Sequence, residues 1–548
     1  MSVLVPLPVA MPLLAAAALT AFGRHLGRRV DNIVGIAIAA ATAVVSVLLV
    51  FRSAGHDLVY WFGAWRPRHG IALGVAFDVD PTAAAIAALA ATLTTATLVF
   101  SWRYFDEVGT LFHVLVLAFL GAMCGFALSG DLFNLFVWFE LMSVAAFALT
   151  GYRAERPSPI QGAINFAVTN SVGSFLLLFG IGFLYARTGA LNLAQIGDAL
   201  AHRRPDGLVI AALTLLVVGF LVKAGAVPFH FWLADAYAVA PLPVCVLFAG
   251  VMSDLGLHAV ARIYWPVFSG AFADQSGSLR AVLVTVGLLT ALVGGTMCFF
   301  ERDLKRLLAF LTVSNIGVLL VGIGLLTPQG LAGTSVYIVA DGLLRGALVL
   351  AVGLLVRRIG TGDELELRGR GGQAPFAGVL FAACGLGLAL LPPFGPFLAN
   401  SLIVDSARGL GYGWVPGVAL ALAGLGLAFA PGLAGDAIHH AQRAADRVAH
   451  AAEVLQGVHP RPARTKSYSP STTAIVHGVS STLGALAFAA FGLYRRRLPV
   501  LVRRAVGRVV APVFAGLKAL HSGAVGDYVT WVVAGGAALG GAFALLLR

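Results

Sequence analysis

Charge is scarce in this chain of 548 residues: Asp, Glu, Lys and Arg make up 11%, against 59% hydrophobic residues. A soluble domain carries roughly a quarter charged residues. A water-exposed globular fold is therefore excluded, and the mean hydropathy of +0.90 points to lipid as the solvent. Cysteine is nearly absent as well. Cys124, Cys245, Cys298 and Cys384 stand singly in separate apolar stretches. With no CxxC spacing and no His cluster beside them, a disulfide framework, a zinc site and an iron–sulfur site are unsupported. No Walker loop or dinucleotide fingerprint follows a strand pattern, so ATP and NAD have no evident site and no cofactor is expected. The driving force must be an ion gradient or a partner.

The net charge of +12 raises nucleic acid as a partner. The arginines, however, sit in short clusters between apolar segments, at Arg24 to Arg29, Arg153 to Arg156 and Arg357 to Arg370. That is the flanking of membrane loops, and no nucleic-acid partner is expected.

What fills the chain is a recurrence of apolar stretches, each of about 20 residues and long enough to cross a hydrocarbon core as a helix. They lie at 3–23, 31–51, 81–101, 110–129, 131–151, 161–186, 207–231, 241–263, 279–300, 306–326, 330–357, 375–405, 414–433, 473–494 and 526–547. The first lacks a basic leader and carries Pro6, Pro8 and Pro12, so it reads as a span rather than a secretory signal. The fold class expected is an all-α polytopic membrane protein of about 15 transmembrane helices. Alternating sides from the N-terminus gathers most arginine clusters on one face. The positive-inside rule makes that face cytoplasmic and puts the N-terminus outside, in the inner (cytoplasmic) membrane of a cell.

Five regions are expected. Residues 1–80 form N-terminal helices and an extracytoplasmic loop; 81–270 and 271–433 form two halves; 434–472 is a polar cytoplasmic linker; 473–548 holds C-terminal helices with an amphipathic segment at 495–521. Each half contains an apolar run interrupted by proline. In LVKAGAVPFHFWL it is Pro228, and in LLPPFGPFLANSL it is Pro392, Pro393 and Pro396 with Gly395 among them. Freed backbone groups at membrane depth are tolerated only inside protein or along a wet cavity, and a matched pair of broken helices points to an inverted-repeat transporter.

A charge at the centre of a spanning helix costs about 2.5–3.5 kcal/mol on insertion scales, so each one calls for a reason. Glu140, Lys223, Asp254, Asp341 and Arg345 lie inside apolar spans, and Asp405 lies near a helix end. Glu140 is flanked by aromatic and aliphatic residues and needs a cation, for which Lys223, one of only four lysines, is the natural partner. A desolvated lysine can release its proton, whereas arginine holds its own, so a Glu–Lys pair that opens and closes suits a proton relay. Structural alternatives stand beside each reading: a static ion pair for Glu140 and Lys223, a salt bridge to Arg345 for Asp254 and Asp341, an interfacial charge for Asp405. His439, His440 and His450 have no Cys or acidic partner at the geometry of metal ligands, so no metal is expected.

These motifs carry a family resemblance. GDLFNLFVWFE resembles the fifth-helix motif of the D-type subunit of Mrp cation/proton antiporters, and LVKAGAVPFHFWLADAYAVAP resembles that family's broken seventh helix. ERDLKRLLAFLTVSNIGVLLVGIGLL is similar to the tenth-helix segment of antiporter-like subunits of Mrp, membrane-bound hydrogenases and complex I. The resemblance covers about 80–430. It implies that Glu140 and Lys223 are the proton-loading pair, that Asp303 and Lys305 belong to the DLKR element at the start of helix ten, and that His230 follows the helix break in a secondary gating position. It also exposes departures. Asp254 stands where many members carry a helix-eight lysine, Asp341 and Arg345 stand where the pattern is His and Lys, and Asn400 stands where a helix-twelve Lys or Glu is expected.

The function this implies is proton translocation, alone or in exchange for sodium or another cation, by a subunit of a larger membrane assembly with other membrane subunits as partners. A non-conducting subunit that keeps the fold, a proton-conducting part of a redox-driven pump such as an NADH:quinone oxidoreductase or hydrogenase-type translocase, and a component of inorganic-carbon uptake remain as alternatives.

Overall fold

The computed structural model describes residues 2–105, 109–201, 204–389, 395–410, 433–457 and 515–547, with scattered residues between 472 and 512. Helix α1 (Leu7–Ser53) is two spans in one, divided where Gly27 takes a left-handed φ of 71° that a side chain resists. Helices α2 (Pro81–Tyr104), α3 (Thr110–Leu128), α4 (Leu132–Thr150), α5 (Pro157–Thr188), α6 (Leu193–Leu200), α7 (Gly207–Ala224) and α8 (Phe231–Val239) follow. Next come α9 (Leu242–Leu247) and α10 (Ser253–Ile263), joined through a π-helical turn at Phe248–Met252. Helices α11 (Ser276–Phe300), α12 (Leu304–Gly324), α13 (Pro328–Ile359), α14 (Glu364–Leu367), α15 (Pro375–Gly387) and α16 (Gly395–Gly409) complete the second half. Helices Leu433–Ala445, Arg447–Gln456 and Val525–Leu546 close the chain.

Among the described residues 11 helices are long and apolar enough to cross a membrane. The difference from about 15 has four parts. Leu7–Gly23 is apolar but shorter, the 375–405 run is split into α15 and α16, and the expected spans 414–433 and 473–494 lie wholly or largely outside the described residues, as do Pro392, Pro393 and most of 495–521. The helices begin where their sequences supply caps. The Asp80, Asp131, Asn192, Asp206, Asp303, Thr327 and Asp363 side chains each accept from backbone N–H groups of the first turn that would otherwise stay unpaired.

The two halves repeat one plan in opposite orientation. Leu132 N–H donates to Leu191 O and Leu193 N–H to Gly130 O; in the second half Leu304 N–H donates to Gly362 O and Glu364 N–H to Arg302 O. Each exchange ties the capped start of one helix (α4 or α12) to the start of a short helix (α6 or α14), and α5 and α13, which lie between, are both 32 residues long. A broken pair follows each time, α7/α8 and α15/α16. The first exchange sits beside a β-hairpin, because Ser129 bridges Phe77, and successive crossings carry the second to the opposite end.

That hairpin, β1 (Leu58–Trp61) against β2 (Ala76–Val79), lies in the loop expected within residues 1–80, and its extended pairing was not read from the sequence. A second correction concerns the polar segment expected as a cytoplasmic linker on the side opposite to this loop. Arg443 Nη2 donates to Asp57 Oδ1 at 2.6 Å, Glu453 accepts from Asp57 N–H at 2.8 Å, and Arg447 donates to Gly197 O at 3.0 Å. The helices Leu433–Ala445 and Arg447–Gln456 therefore cover the hairpin end, and the two segments share one side. Their basic residues find acidic partners there, which an arginine count over loops does not register.

His450 fastens this cover: its Nδ1 lies 3.6 Å from Asp57 and its Nε2 3.5 Å from Asp78. Burial alone would lower its pKa, but Asp78 and Asp57 together outweigh that and raise it from 6.5 to about 9. A folded value above the unfolded one means that the contact stabilises fully below about pH 6.5 and is lost as pH rises through about 9. Amide hydrogen exchange across Arg447–Gln456, corrected for intrinsic rates, is expected to show local opening that grows between about pH 8 and 10. His450→Phe is expected to remove that pH dependence.

Candidate functional site

Lys223 occupies the last turn of α7, where Gly225, at φ 76°, ends the helix and the chain turns through Pro228 into α8. The break is satisfied from within the protein: Trp232 Nε1 donates to Val222 O at 3.1 Å, and Thr290 Oγ1 accepts from Val227 N–H at 3.1 Å. The Lys223 side chain is fully buried. Its Nζ donates to Ser143 Oγ at 2.7 Å and lies 4.8 Å from the centre of the Phe139 ring. Glu140 stands on the same helix as Ser143, one turn earlier, but makes no ion pair with Lys223, and its Oε1 is buried without a hydrogen-bond partner. The expected ion pair is therefore not made in this structure: Lys223 bonds to Ser143, whose own hydroxyl donates to Phe139 O at 2.7 Å. Ser143 itself was not singled out from the sequence; its spacing of three from Glu140 on one helix face is the signal that marks it.

Three of the four departing residues meet, one from the first half and two from the second. Arg345 Nη2 lies 2.5 Å from Asp254 Oδ2, and its Nε contacts Asp341 Oδ2; all three side chains are at most 1% exposed. Asn315 Nδ2 donates to Asp341 Oδ1 at 3.0 Å. One arginine from α13 therefore bridges carboxylates from two helices, and Asp254 Oδ1 and Arg345 Nη1 keep no protein partner. Fully ionised, the cluster carries one net negative charge. Adding one proton makes it neutral. Two carboxylates around one permanent cation form a unit with two charge states that can hold or release a single proton.

Close backbone packing joins the two groups. Gly256, two residues beyond Asp254, lies where a Cβ would stand 2.7 Å from Phe220 O and 2.8 Å from Ala224 N, against the end of α7 that carries Lys223. On the other side a Cβ at Gly342 would strike the Gly250 carbonyl in the π turn. The span Leu242–Phe268 is thus clasped between α7, which carries Lys223, and α13, which carries Asp341 and Arg345, so the two buried polar groups lie on directly packed helices. π turns often mark functional positions in helices.

The secondary candidates separate from these two groups. Asp303 caps α12 by accepting from Lys305 N–H and Arg306 N–H, each at 3.0 Å. Lys305 Nζ donates to the carbonyls of Ala238 and Ala240, each at 2.7 Å, and so closes the C-terminus of α8. His230 is buried with neither ring nitrogen hydrogen-bonded, and its ring lies 5.1 Å from that of His521. Asn400 is buried on α16, and Asp405 is half-buried further along the same helix.

Residues 129–426 match the family described as NADH:quinone oxidoreductase/Mrp antiporter, transmembrane. The chain belongs to this family. It is 31% identical over 426 residues to the D-type subunit of a probable K(+)/H(+) antiporter from Rhizobium meliloti, covering 73% of this chain and 78% of that protein. It is 30% identical over 410 residues to the N-type subunit of the NADH-quinone oxidoreductase of Desulforudis audaxviator, covering 73% and 78%. The D-type subunit of the Na(+)/H(+) antiporter of Bacillus subtilis is 27% identical over 402 residues, covering 73% and 79%. Among solved structures, the Mrp complex from Dietzia sp. shares the fold with a TM-score of 0.69 at 24% identity, over 93% of this chain and 97% of that one. The archaeal membrane-bound sulfane sulfur reductase matches with a TM-score of 0.69 at 20% identity, over 97% and 100%. This chain is accordingly a polytopic, antiporter-like membrane subunit of the Mrp and complex I type.

Within this antiporter-like subunit, the Arg345 clamp invites a direct test. Removing one partner of a buried ionic cluster leaves uncompensated charge, at a cost of about 3–5 kcal/mol. Arg345→Met is therefore expected to lower the midpoint of thermal unfolding in detergent sharply. Combining it with Asp254→Asn and Asp341→Asn is expected to restore most of the loss. Equal destabilisation in the single and triple variants would show that packing, and not charge, holds the cluster.

Proposed function

We propose that this chain translocates protons across the membrane as one subunit of a multisubunit assembly, with Lys223 and the Asp254–Arg345–Asp341 cluster as successive carriers. The observation that supports it most directly is the fully buried Lys223 ammonium, bonded to a hydroxyl and not to the carboxylate one turn away. An ammonium held without a counter-ion in a dry site is costly. Its free energy falls if Glu140 swings to meet it or if the proton moves on toward Asp254. Either event changes the balance for the next site, which is how a loading step at one site is coupled to release at the other.

Beyond Lys223, Asp254 and Asp341 take the role of carriers, and Arg345 sets the charge that the pair must balance. One relative named for K(+)/H(+) antiport and another named for Na(+)/H(+) antiport favour exchange against a monovalent cation for this chain too. Other membrane subunits of such a complex are its partners, and the bacterial relatives favour the plasma membrane as its location. A second reading has its own support: a permanent guanidinium clamped between two carboxylates is also what a locked, non-conducting half would contain.

Proton flux into membrane vesicles containing the chain with its partner subunits, driven by an imposed potential, separates the two. Lys223→Ala is expected to lower flux by about 100-fold or more with unchanged assembly, since proton transfer by a positioned group contributes factors of this size. Wild-type flux in Lys223→Ala would eliminate the relay and leave a structural subunit. Dependence of the flux on sodium or potassium on the opposite side would establish exchange.

A further inference from the structure

We propose that protons leave the Asp254–Arg345–Asp341 cluster along α10, through His258, into a small cavity with several charged residues in its wall, at the hairpin end beneath the helices Leu433–Ala445 and Arg447–Gln456. This rests on the proton-translocating reading above and adds a route and a carrier to it.

The periodicity of α10 supplies the path. Asp254, His258 and Arg262 stand at successive intervals of four, which places them on one helix face with roughly 5–6 Å between neighbouring Cβ atoms. All three are buried. Asp254 has an oxygen with no protein partner, and His258 is one turn nearer the hairpin end. His258 lines a cavity of about 70 Å³ together with Asp80, Arg262, His440 and His450. Its Nε2 lies 3.3 Å from Ala127 O, a long contact that orients the ring without a charged partner. The alternative way out, across α16, is interrupted. Asn400 stands there, and an amide neither takes up nor releases a proton in the working pH range.

Arg262 at the mouth would repel an arriving proton if its charge stood alone. It does not, because Nη1 lies 2.7 Å from Asp80 Oδ2, Nη2 lies 3.5 Å from Asp78 Oδ2, and Nε donates to Ser129 O at 2.7 Å. The charged and titratable groups around His258 and the cavity are thus Arg262 on its own helix, with Asp254 one turn before it, Asp78 on β2, Asp80 at the start of α2, Asp57 from the hairpin loop, and His440, Arg443 and His450 from the covering helices. In the step itself a proton passes from the Asp254 carboxyl to the His258 imidazole, and from the imidazolium to the carboxylate-lined cavity. No bond other than those to the proton changes.

The test compares His258→Gln, which keeps a polar donor but cannot carry a proton, with His258→Glu, which can. In vesicles holding the complete complex, His258→Gln is expected to lower proton flux by at least about tenfold. His258→Glu is expected to recover most of it, with a displaced pH–rate profile. Equal loss in both variants, or wild-type flux in His258→Gln, overturns the route. Lys223→Ala measured alongside separates the two ideas. Flux lost there but kept in His258→Gln removes the exit and leaves the relay; flux kept in both removes the relay and the exit with it. A second measurement does not depend on either His258 variant. Ser335→Cys places a thiol on the cavity wall. Labelling it from the hairpin side with a membrane-impermeant thiosulfonate is expected to reduce flux relative to the unlabelled variant, and unchanged flux after complete labelling overturns the proposal.

Discussion

The absence of water in the bilayer interior governs this molecule. Every backbone group and every charge at membrane depth must be answered by protein. Where α7 breaks, the free carbonyl of Val222 and the amide of Val227 are met by Trp232 and Thr290. Where an arginine is buried on α13, two aspartates surround it. The Lys223 ammonium is the incomplete case. A serine hydroxyl and an aromatic face solvate it only in part, and the relay proposed above rests on that shortfall.

Glycine makes the close packing of these helices possible. Gly256 lets α10 rest on the backbone of α7, and Gly342 lets α13 rest on the π turn before Asp254. Side chains at these points would push the three spans apart. The inverted repeat supplies the frame: one exchange of backbone hydrogen bonds at each end pins the start of α4 or α12 to the short helix that precedes a broken span. The broken helices are thereby anchored at opposite ends, which suits a path that crosses the membrane.

The covering helices add a feature that the repeat does not explain. Arg443, His450 and Glu453 bind the Asp57 region so that a charged lid rests over the small cavity. The neighbouring aspartates Asp78 and Asp80 neutralise Arg262 at the end of α10, and Asp78 also faces His450. One group of carboxylates therefore holds the lid and lowers the electrostatic barrier at the mouth of the cavity.

Eleven of the expected spans and the charged residues inside them were legible in the sequence, because apolar length and the rarity of intramembrane charge are local properties. The departures at Asp254, Asp341 and Arg345 were legible only against the pattern of the family that the sequence resembles. Which of them touch was not legible: i,i+4 spacing suggests Asp341 with Arg345, but Asp254 joins them across 91 positions of sequence through helix packing. Nor did the sequence show that Lys223 bonds to Ser143, that Lys305 closes α8, or that a polar stretch after residue 433 folds back onto the hairpin end. The sequence by itself determined the membrane class, the repeat and the candidate carriers. Tertiary structure alone decided their pairings and the side of the cover, because these depend on distances between helices that no periodicity encodes.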